Sequence, residues 1–315
     1  MRIVFWGTPD FALPSLRALV GEDHDVVAVV TQPDRPAGRG RALTPPPVKE
    51  AALAERIPVL QPERARGDEF VAALRAMEPD LSVVVAFGQL LRREVLDLPR
   101  LGSINVHASL LPALRGAAPI NWAIMRGDAQ TGITIMRMAE RLDAGPILRQ
   151  VPEPIGPEET ARDLAVRLSE IGAEALVETL ALFELGEITE REQDEALATY
   201  APRLTREDAH VDWTRGAAEI DHRIRGLDDV PGAWSRLHGN DLKLFRPLPL
   251  PDGDHGPGAP GTVVSVTPLD PTHGIVVACG DGAVAIREVK PAGKRRMTAA
   301  EWARGRGVAV GDRLE

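Results

Sequence analysis

The chain has 315 residues and a formal net charge of −9, with 44% hydrophobic and 26% charged residues. That is the profile of a soluble globular protein with room for one large domain or two ordinary ones. A single cysteine, Cys279, excludes an internal disulfide, and no apolar run approaches the ~20 residues that span a bilayer.

The apolar run Ile3–Trp6 ahead of Gly7 is too short for a signal-peptide core, so a cytoplasmic protein is expected. The acidic balance argues against a polyanionic partner unless the charges are segregated, and in part they are. From Arg287 to Arg306 seven Lys/Arg stand against two Glu, and from Thr31 to Lys49 four basic residues stand against one Asp. The stretch 153–195 is rich in Glu and Asp. Each cluster taken alone reads as a solvated face.

In chain order, "RIVFWG" reads as a strand and "PDFALPSLRALVG" as a helix, with Asp10 placed to complement its N-terminus. "HDVVAVVTQ" is a strand, followed by a long loop and a helix near 47–56. "IPVLQP", a helix near 67–77, and "DLSVVVAFG" continue the alternation, and "GITIMRM" adds a later strand. Short Val-rich strands alternating with helices predict a doubly wound α/β domain around a mostly parallel sheet. Leu164, Leu168, Ile171, Ala175 and Leu176 recur at helical spacing and predict one or two helices over 158–186.

Composition changes near residue 190, and "EREQDEALATYAPRLT" has no strong periodicity, so it reads as a connector. A short helix, "RGAAEIDHRIRGL", then precedes "AWSRL", "LKLFRPL", "TVVSV", "GIVVAC" and "AVAIREV" with turn signals between them. Strands at this spacing predict a small barrel or sandwich. The expected domains are 1–189, a linker at 190–205, and 206–315.

Asn105 and His107 lie two apart in "LGSINVHASLLPALRG", so both side chains leave the same side of a strand end. The carboxyl end of a strand in an open α/β sheet is where ligands bind. The plainer alternative is a hydrogen-bonded structural histidine capping the strand. Asp143 in "RLDAGPIL" reads on its own as a turn residue; beside an imidazole and an amide it would complete a proton-transfer site. "GTPDF" is not a dinucleotide fingerprint, no P-loop motif occurs, and no Cys/His cluster has zinc spacing. Neither a nicotinamide cofactor nor a metal is expected.

Six stretches then occur in order: "FWGTPDFA", "TQPDRPAGRGRALTPPPVK", "VVVAFGQLL", "INVHASLLPALRGAAPINWAI", "LDAGPIL" and "KPAGKRRM". Together they resemble the methionyl-tRNA formyltransferase family over almost the whole chain. "HASLLPALRG" is common to folate-dependent formyltransferases, whereas "QPDRPAGRG" combined with "PAGKRRM" singles out the tRNA enzymes. The loop around Asp143 carries Ala139, Arg141 and Ala144 where many members have an acidic residue, a glycine and a threonine.

The resemblance implies a Rossmann-like catalytic domain, an OB-fold-like β-barrel, and 10-formyltetrahydrofolate as formyl donor. It implies Asn105, His107 and Asp143 as the catalytic set. Ser109, Leu110, Leu111 and Pro112 would line the folate site, with the backbone of Phe87, Gly88, Gln89, Leu90 and Leu91 near the pterin. Initiator methionyl-tRNA would be the acceptor, with Arg35, Arg39 and Arg41 at its acceptor end and Lys290, Lys294, Arg295 and Arg296 along its phosphates. A monomer with no membrane attachment is expected.

The readings weighed against this one are a formyltransferase acting on a sugar nucleotide or on water, and a non-catalytic nucleic-acid-binding protein. The first has no need of the Arg-rich loop. The second leaves Asn105, His107 and Asp143 without a purpose. A nicotinamide dehydrogenase would lack its glycine fingerprint.

Overall fold

The computed structural model describes residues 1–37, 42–250, 258–267 and 274–315. The chain forms two units. One comprises Met1–Pro119, Thr131–Pro154 and Ala165–Pro202, the other Ile120–Gln130, Ile155–Leu164 and Arg203–Glu315.

The first unit is built on β1 (Arg2–Gly7), β2 (Asp25–Val30), β5 (Val59–Leu60), β6 (Leu81–Val85) and β7 (Ser103–His107), extended by β8 (Gln130–Arg137) and β9 (Ile147–Pro154). The sheet order is β5-β2-β1-β6-β7-β8-β9. The pairs β5–β2, β2–β1, β1–β6 and β6–β7 are parallel, whereas β7 and β8 run antiparallel. Between the parallel strands run α1 (Leu13–Gly21), α2 (Pro47–Ala54), α3 (Asp68–Arg75) and α4 (Arg93–Leu96), which gives a Rossmann-like arrangement with a mixed edge. The order reverses between β1 and β6, the position where such sheets open a crevice.

Continuous Val/Ile runs make the central strands, whose side chains are mostly buried. β6 is buried along its whole length. Trp6 anchors one layer: its indole N–H donates to Ser82 Oγ at 3.1 Å, and its ring meets Phe87 edge-on at 5.2 Å.

Several expectations change at this level. The loop after β2 contains a short hairpin, β3 (Arg35–Ala37) with β4 (Ala42–Thr44). Asp10 lies in a 3-10 turn ahead of α1 and makes no side-chain cap there. α5 (Pro119–Met125) and β9 carry no strong periodic signal, and the charged 158–186 stretch is one helix, α6 (Ala161–Leu185). Residues 190–202, expected as a connector, are built into the first unit. Arg191 exchanges backbone hydrogen bonds with Ile147, and Arg115 with Thr199 and Ala201.

The second unit carries α7 (Ala217–Gly226) and an antiparallel sheet. Its strands are β10 (Trp234–Leu237), β11 (Asn240–Leu250), β12 (Val263–Val266), β13 (Ile275–Ala278), β14 (Ala283–Pro291) and β15 (Met297–Thr298); α8 (Ala299–Arg304) follows. The order is β10-β11-β14-β13-β12, with β15 on β14. His238 and Gly239, both with positive φ, form the two-residue turn between β10 and β11, as the right-handed twist of a hairpin demands. Near the C-terminus, Leu314 bridges Leu237 and Arg313 bridges Thr262, so the same segment reaches the end of β10 and the start of β12.

Candidate active site

Four side chains or turns gather at the carboxyl ends of the parallel strands: Thr8 after β1, Gln32 after β2, Phe87 after β6, and His107 ending β7. Thr8 Oγ1 and Gln32 Nε2 both donate to the Phe87 carbonyl, at 3.0 and 3.2 Å. The turn after β6 takes positive φ at Ala86 and Gly88. Phe87 and Leu91 bury their side chains in the core, whereas the Leu90 side chain is 76% exposed. Gln89 and Leu90 join Arg64, Ala65, Arg66 and Arg92 around an open cavity of about 350 Å³.

His107 and Asp143 come together. His107 Nδ1 lies 3.8 Å from Asp143 Oδ2, and the two side chains are 7% and 13% exposed. His107 Nε2 lies 3.1 Å from the Leu114 carbonyl. A carbonyl can only accept, so Nε2 carries the hydrogen and Nδ1 is the nitrogen that faces the carboxylate. Asn105 is partly buried one pleat away, and its amide donates to the Val84 carbonyl at 3.1 Å. An amide nitrogen has two hydrogens, so this bond positions the group and leaves one N–H.

Asp143 stands in the left-handed backbone region, φ +48°, where Asp is among the few non-glycine residues tolerated. Its Oδ2 accepts the Gly116 backbone N–H at 2.8 Å. Gly145 is required by a close approach, because a Cβ there would lie 2.0 Å from the Arg137 carbonyl oxygen. Behind the loop, Gln193 donates to the carbonyls of Asp143 (2.9 Å) and Gly145 (2.7 Å). Its Oε1 accepts from the buried guanidinium of Arg115, which also forks onto Glu195. The Arg115 guanidinium, joined by Arg141, holds the Glu195 carboxyl below its usual range.

The neighbouring loop is shaped from within. Thr134 Oγ1 donates to the Ser109 carbonyl at 2.6 Å and accepts the Leu111 N–H; Gln150 donates to the Leu111 carbonyl. Ser109 is buried and donates to the Ala113 carbonyl, and Leu111 is buried, whereas Leu110 and Pro112 are partly exposed. Sequence reasoning missed Gln193, Arg115, Glu195, Thr134 and Gln150. The Arg115 position stood inside a quoted motif, but nothing local in "EREQDE" signals a partner some fifty residues away.

The basic residues behave unequally. Arg35 is exposed, with Nη2 3.4 Å from Gln32 Oε1, and Arg39 and Arg41 lie outside the described residues. Lys290 on β14 is exposed and pairs in register with Lys243 on β11, a like-charge opposition. Burial and the Lys290 charge hold the Lys243 ammonium below its usual range. Lys294 is exposed in the turn after β14, and Arg295 reaches Glu301 at 2.6 Å. Arg296 differs from them. It forks onto Asp228, reaches Glu288, and stacks 3.9 Å from the Phe245 ring centroid. Among the described residues no group of three or more His, Cys, Asp or Glu is placed to hold a metal ion.

Residues 1–180 match the formyl transferase family, and residues 203–307 match the formyl transferase C-terminal domain. The methionyl-tRNA formyltransferase of Geobacter sulfurreducens is 46% identical over 314 residues, which cover 100% of this chain and 96% of that one. The chain belongs to the methionyl-tRNA formyltransferase family. The Bacillus subtilis member is 48% identical, covering 99% of this chain and 97% of the relative.

Solved structures share the fold at lower identity. HypX from Aquifex aeolicus, in complex with tetrahydrofolic acid, superposes with a TM-score of 0.67 at 21% identity; the match covers 95% of this chain and 46% of HypX. WlaRD, a sugar 3N-formyl transferase crystallised with dTDP and 5-N-formyl-THF, gives 0.66 at 16% identity, covering 94% and 99%. For this family member, as for those, the Rossmann-like sheet is the shared frame. No helix among the described residues is long and apolar enough to cross a membrane.

Proposed function

We propose that this protein transfers the formyl group of 10-formyltetrahydrofolate to the α-amine of initiator methionyl-tRNA, supplying N-formylmethionyl-tRNA for translation initiation. The observation that carries the chemistry is the facing of Asp143 Oδ2 and His107 Nδ1 across 3.8 Å at the carboxyl edge of the sheet. The family membership carries the acceptor.

In this reading the neutral amine attacks the formyl carbon, and an unperturbed α-amine with pKa ~7.7–8.0 needs only a modest base. Asp143 takes the proton lost by the amine; Oδ1 is the oxygen left for it, since Oδ2 already accepts from Gly116. The oxyanion formed on the formyl oxygen accepts hydrogen bonds from the Asn105 amide and from His107 Nδ1, which for this role carries a proton taken up from solvent before attack and kept through collapse. Collapse then breaks the bond between the formyl carbon and N10 of the folate. N10 receives the proton that Asp143 held, so the amine's N–H is exchanged for a new N–H on the folate. No covalent enzyme intermediate is required.

The pterin lies against the backbone of Phe87, Gly88, Gln89, Leu90 and Leu91, with Leu110 and Pro112 also lining the folate site and Ser109 and Leu111 fixing that loop's shape. The three arginines around the adjacent cavity suit the carboxylates of the folate's glutamate tail. The tRNA acceptor end meets Arg35, Arg39 and Arg41. Lys290, Lys294 and Arg295 contact phosphates, with Lys243 in register beside Lys290. Arg296 supports that patch from below through Asp228.

The second unit is then an OB-fold-like barrel serving tRNA, and the catalytic part spans 1–189 together with the 190–202 segment. The protein works in the cytoplasm as a monomer, free of membranes. The test is incubation with 10-formyltetrahydrofolate and charged initiator tRNA, with uncharged tRNA, amino-sugar nucleotides and water as the other acceptors. Formylmethionine on charged tRNA alone is expected; formyl-sugar or free formate as the main product overturns the reading.

A further inference from the structure

The amide of Gln193 is clamped on both faces. Its Oε1 meets only donors, Arg115 Nε at 3.1 Å and Nη2 at 2.8 Å, and its Nε2 meets only acceptors, the carbonyls of Asp143 and Gly145. One orientation of the amide satisfies every partner, and the flipped one satisfies none. Arg115, buried, is itself held by the Glu195 carboxylate. Glu195 also binds Arg141 at 2.7 Å, so the 141–145 turn is gripped at Arg141, Asp143 and Gly145 by one segment. The residue after Arg115 supplies the N–H that fixes Asp143 Oδ2. Two loops that carry the site are thereby locked together through a single Arg–Gln–Glu set.

From this we infer that Gln193, backed by Arg115 and Glu195, is a positioning residue for formyl transfer. It holds Asp143 in its left-handed backbone conformation and so sets the distance between Asp143 Oδ2 and His107 Nδ1. The inference rests on the proton-accepting role given above to Asp143. Nothing in the set touches the reacting atoms, because Gln193 meets Asp143 only at its backbone carbonyl. Its effect must therefore appear in turnover more than in substrate binding. A displacement of about 1 Å at a reacting group is enough to cost ~10²-fold in rate.

The test compares Gln193→Met, close in volume but without donors or acceptor amide, with Gln193→Glu, which keeps Arg115 paired but turns a carboxylate toward two carbonyls. Both are expected to lower kcat about 10–100-fold while the KM for each substrate stays within about threefold. Thermal unfolding checks that each variant is folded, and kcat is referred to the folded fraction. In an Asp143→Asn background, Gln193→Met should lower the residual single-turnover rate by less than about twofold, since the group it positions is already gone.

Wild-type kcat in both Gln193 variants overturns the inference. So does a loss explained by the unfolded fraction, a loss that appears in KM alone, or full additivity with Asp143→Asn. Near-normal turnover by Asp143→Asn alone would instead remove the role of Asp143 and the inference with it. An impaired Asp143→Asn beside unimpaired Gln193 variants removes only the inference.

Discussion

Asp143 Oδ2 stands 3.8 Å from His107 Nδ1 while accepting the Gly116 N–H at 2.8 Å. The carboxylate is thus fixed by backbone and faces the imidazole without closing a direct hydrogen bond to it. His107 in turn is fixed from its far side by the Leu114 carbonyl. The arrangement holds both groups still, and in the proposed reaction the amine approaches beside them, since 3.8 Å leaves no room between.

Replacing either group should therefore remove chemistry while sparing binding. His107→Ala and Asp143→Ala are each expected to slow single-turnover formylation about 10²–10³-fold, with tRNA affinity nearly unchanged. Filter binding alongside rapid-quench kinetics separates the two effects. Rates close to wild type in either variant would sink the assignment. His107→Ala also leaves the buried Leu114 carbonyl without its donor, so about 1 kcal/mol of stability is expected to go with it.

The basic residues of the second unit should divide into two classes. Lys290→Ala and Lys294→Ala are expected to weaken tRNA binding and each to reduce the slope of log K against log salt by about 1, with unchanged Tm. Arg296→Ala instead leaves Asp228, a 4%-exposed side chain, without its guanidinium. Breaking a buried pair from one side costs about 3 kcal/mol, so Tm should fall by several degrees. A full salt slope in the lysine variants, or an unchanged Tm for Arg296→Ala, contradicts this division.

Cys279 should be silent in the folded protein. Burial pushes its thiol up to about 12, and the thiolate is the reactive form. Native protein at pH 8 is expected to resist a disulfide-exchange reagent, and urea should release one reactive thiol at the unfolding midpoint. Rapid labelling of native protein would show the burial to be wrong.

A histidine sets part of the acid sensitivity. Burial, then the Arg225 charge, holds His222 below its ordinary value of 6.5. Below that value the unfolded chain binds a proton that the folded chain refuses, so stability present above pH 6.5 is lost as pH falls toward the folded value. His222 packs where Gly127 leaves no room for a Cβ, 2.5 Å from its Cε1, so relaxation of the ring is limited. Urea midpoints at pH 7.5 and 5.5 should differ less for His222→Gln than for the parent. Equal differences would remove His222 from the account.

Much of the first unit was legible because its signals are local. Val83, Val84 and Val85 sit in a run that is buried on both faces, and such a run declares a covered strand from composition alone. Asn105 and His107 were legible as a pair because the two-residue period of a strand puts them on one side. The 190–202 segment was not, since its order comes from backbone bonds to Ile147 and Arg115 rather than from any period of its own. The partners of Arg296 were illegible for a related reason. Its neighbours in the chain are basic, whereas its partners, Asp228 and Glu288, arrive from other elements.

Periodicity and residue type determined the alternation of strand and helix, the change of architecture after residue 190, and the polar pair at the end of β7, because each is written within a few residues of itself. Which carboxylate meets His107, which of its ring nitrogens faces that carboxylate, and what holds Asp143 in place were decided only by tertiary structure. Those facts depend on side chains and carbonyls separated by tens of residues, brought to hydrogen-bonding distance when the 191–201 segment closes over the two site loops.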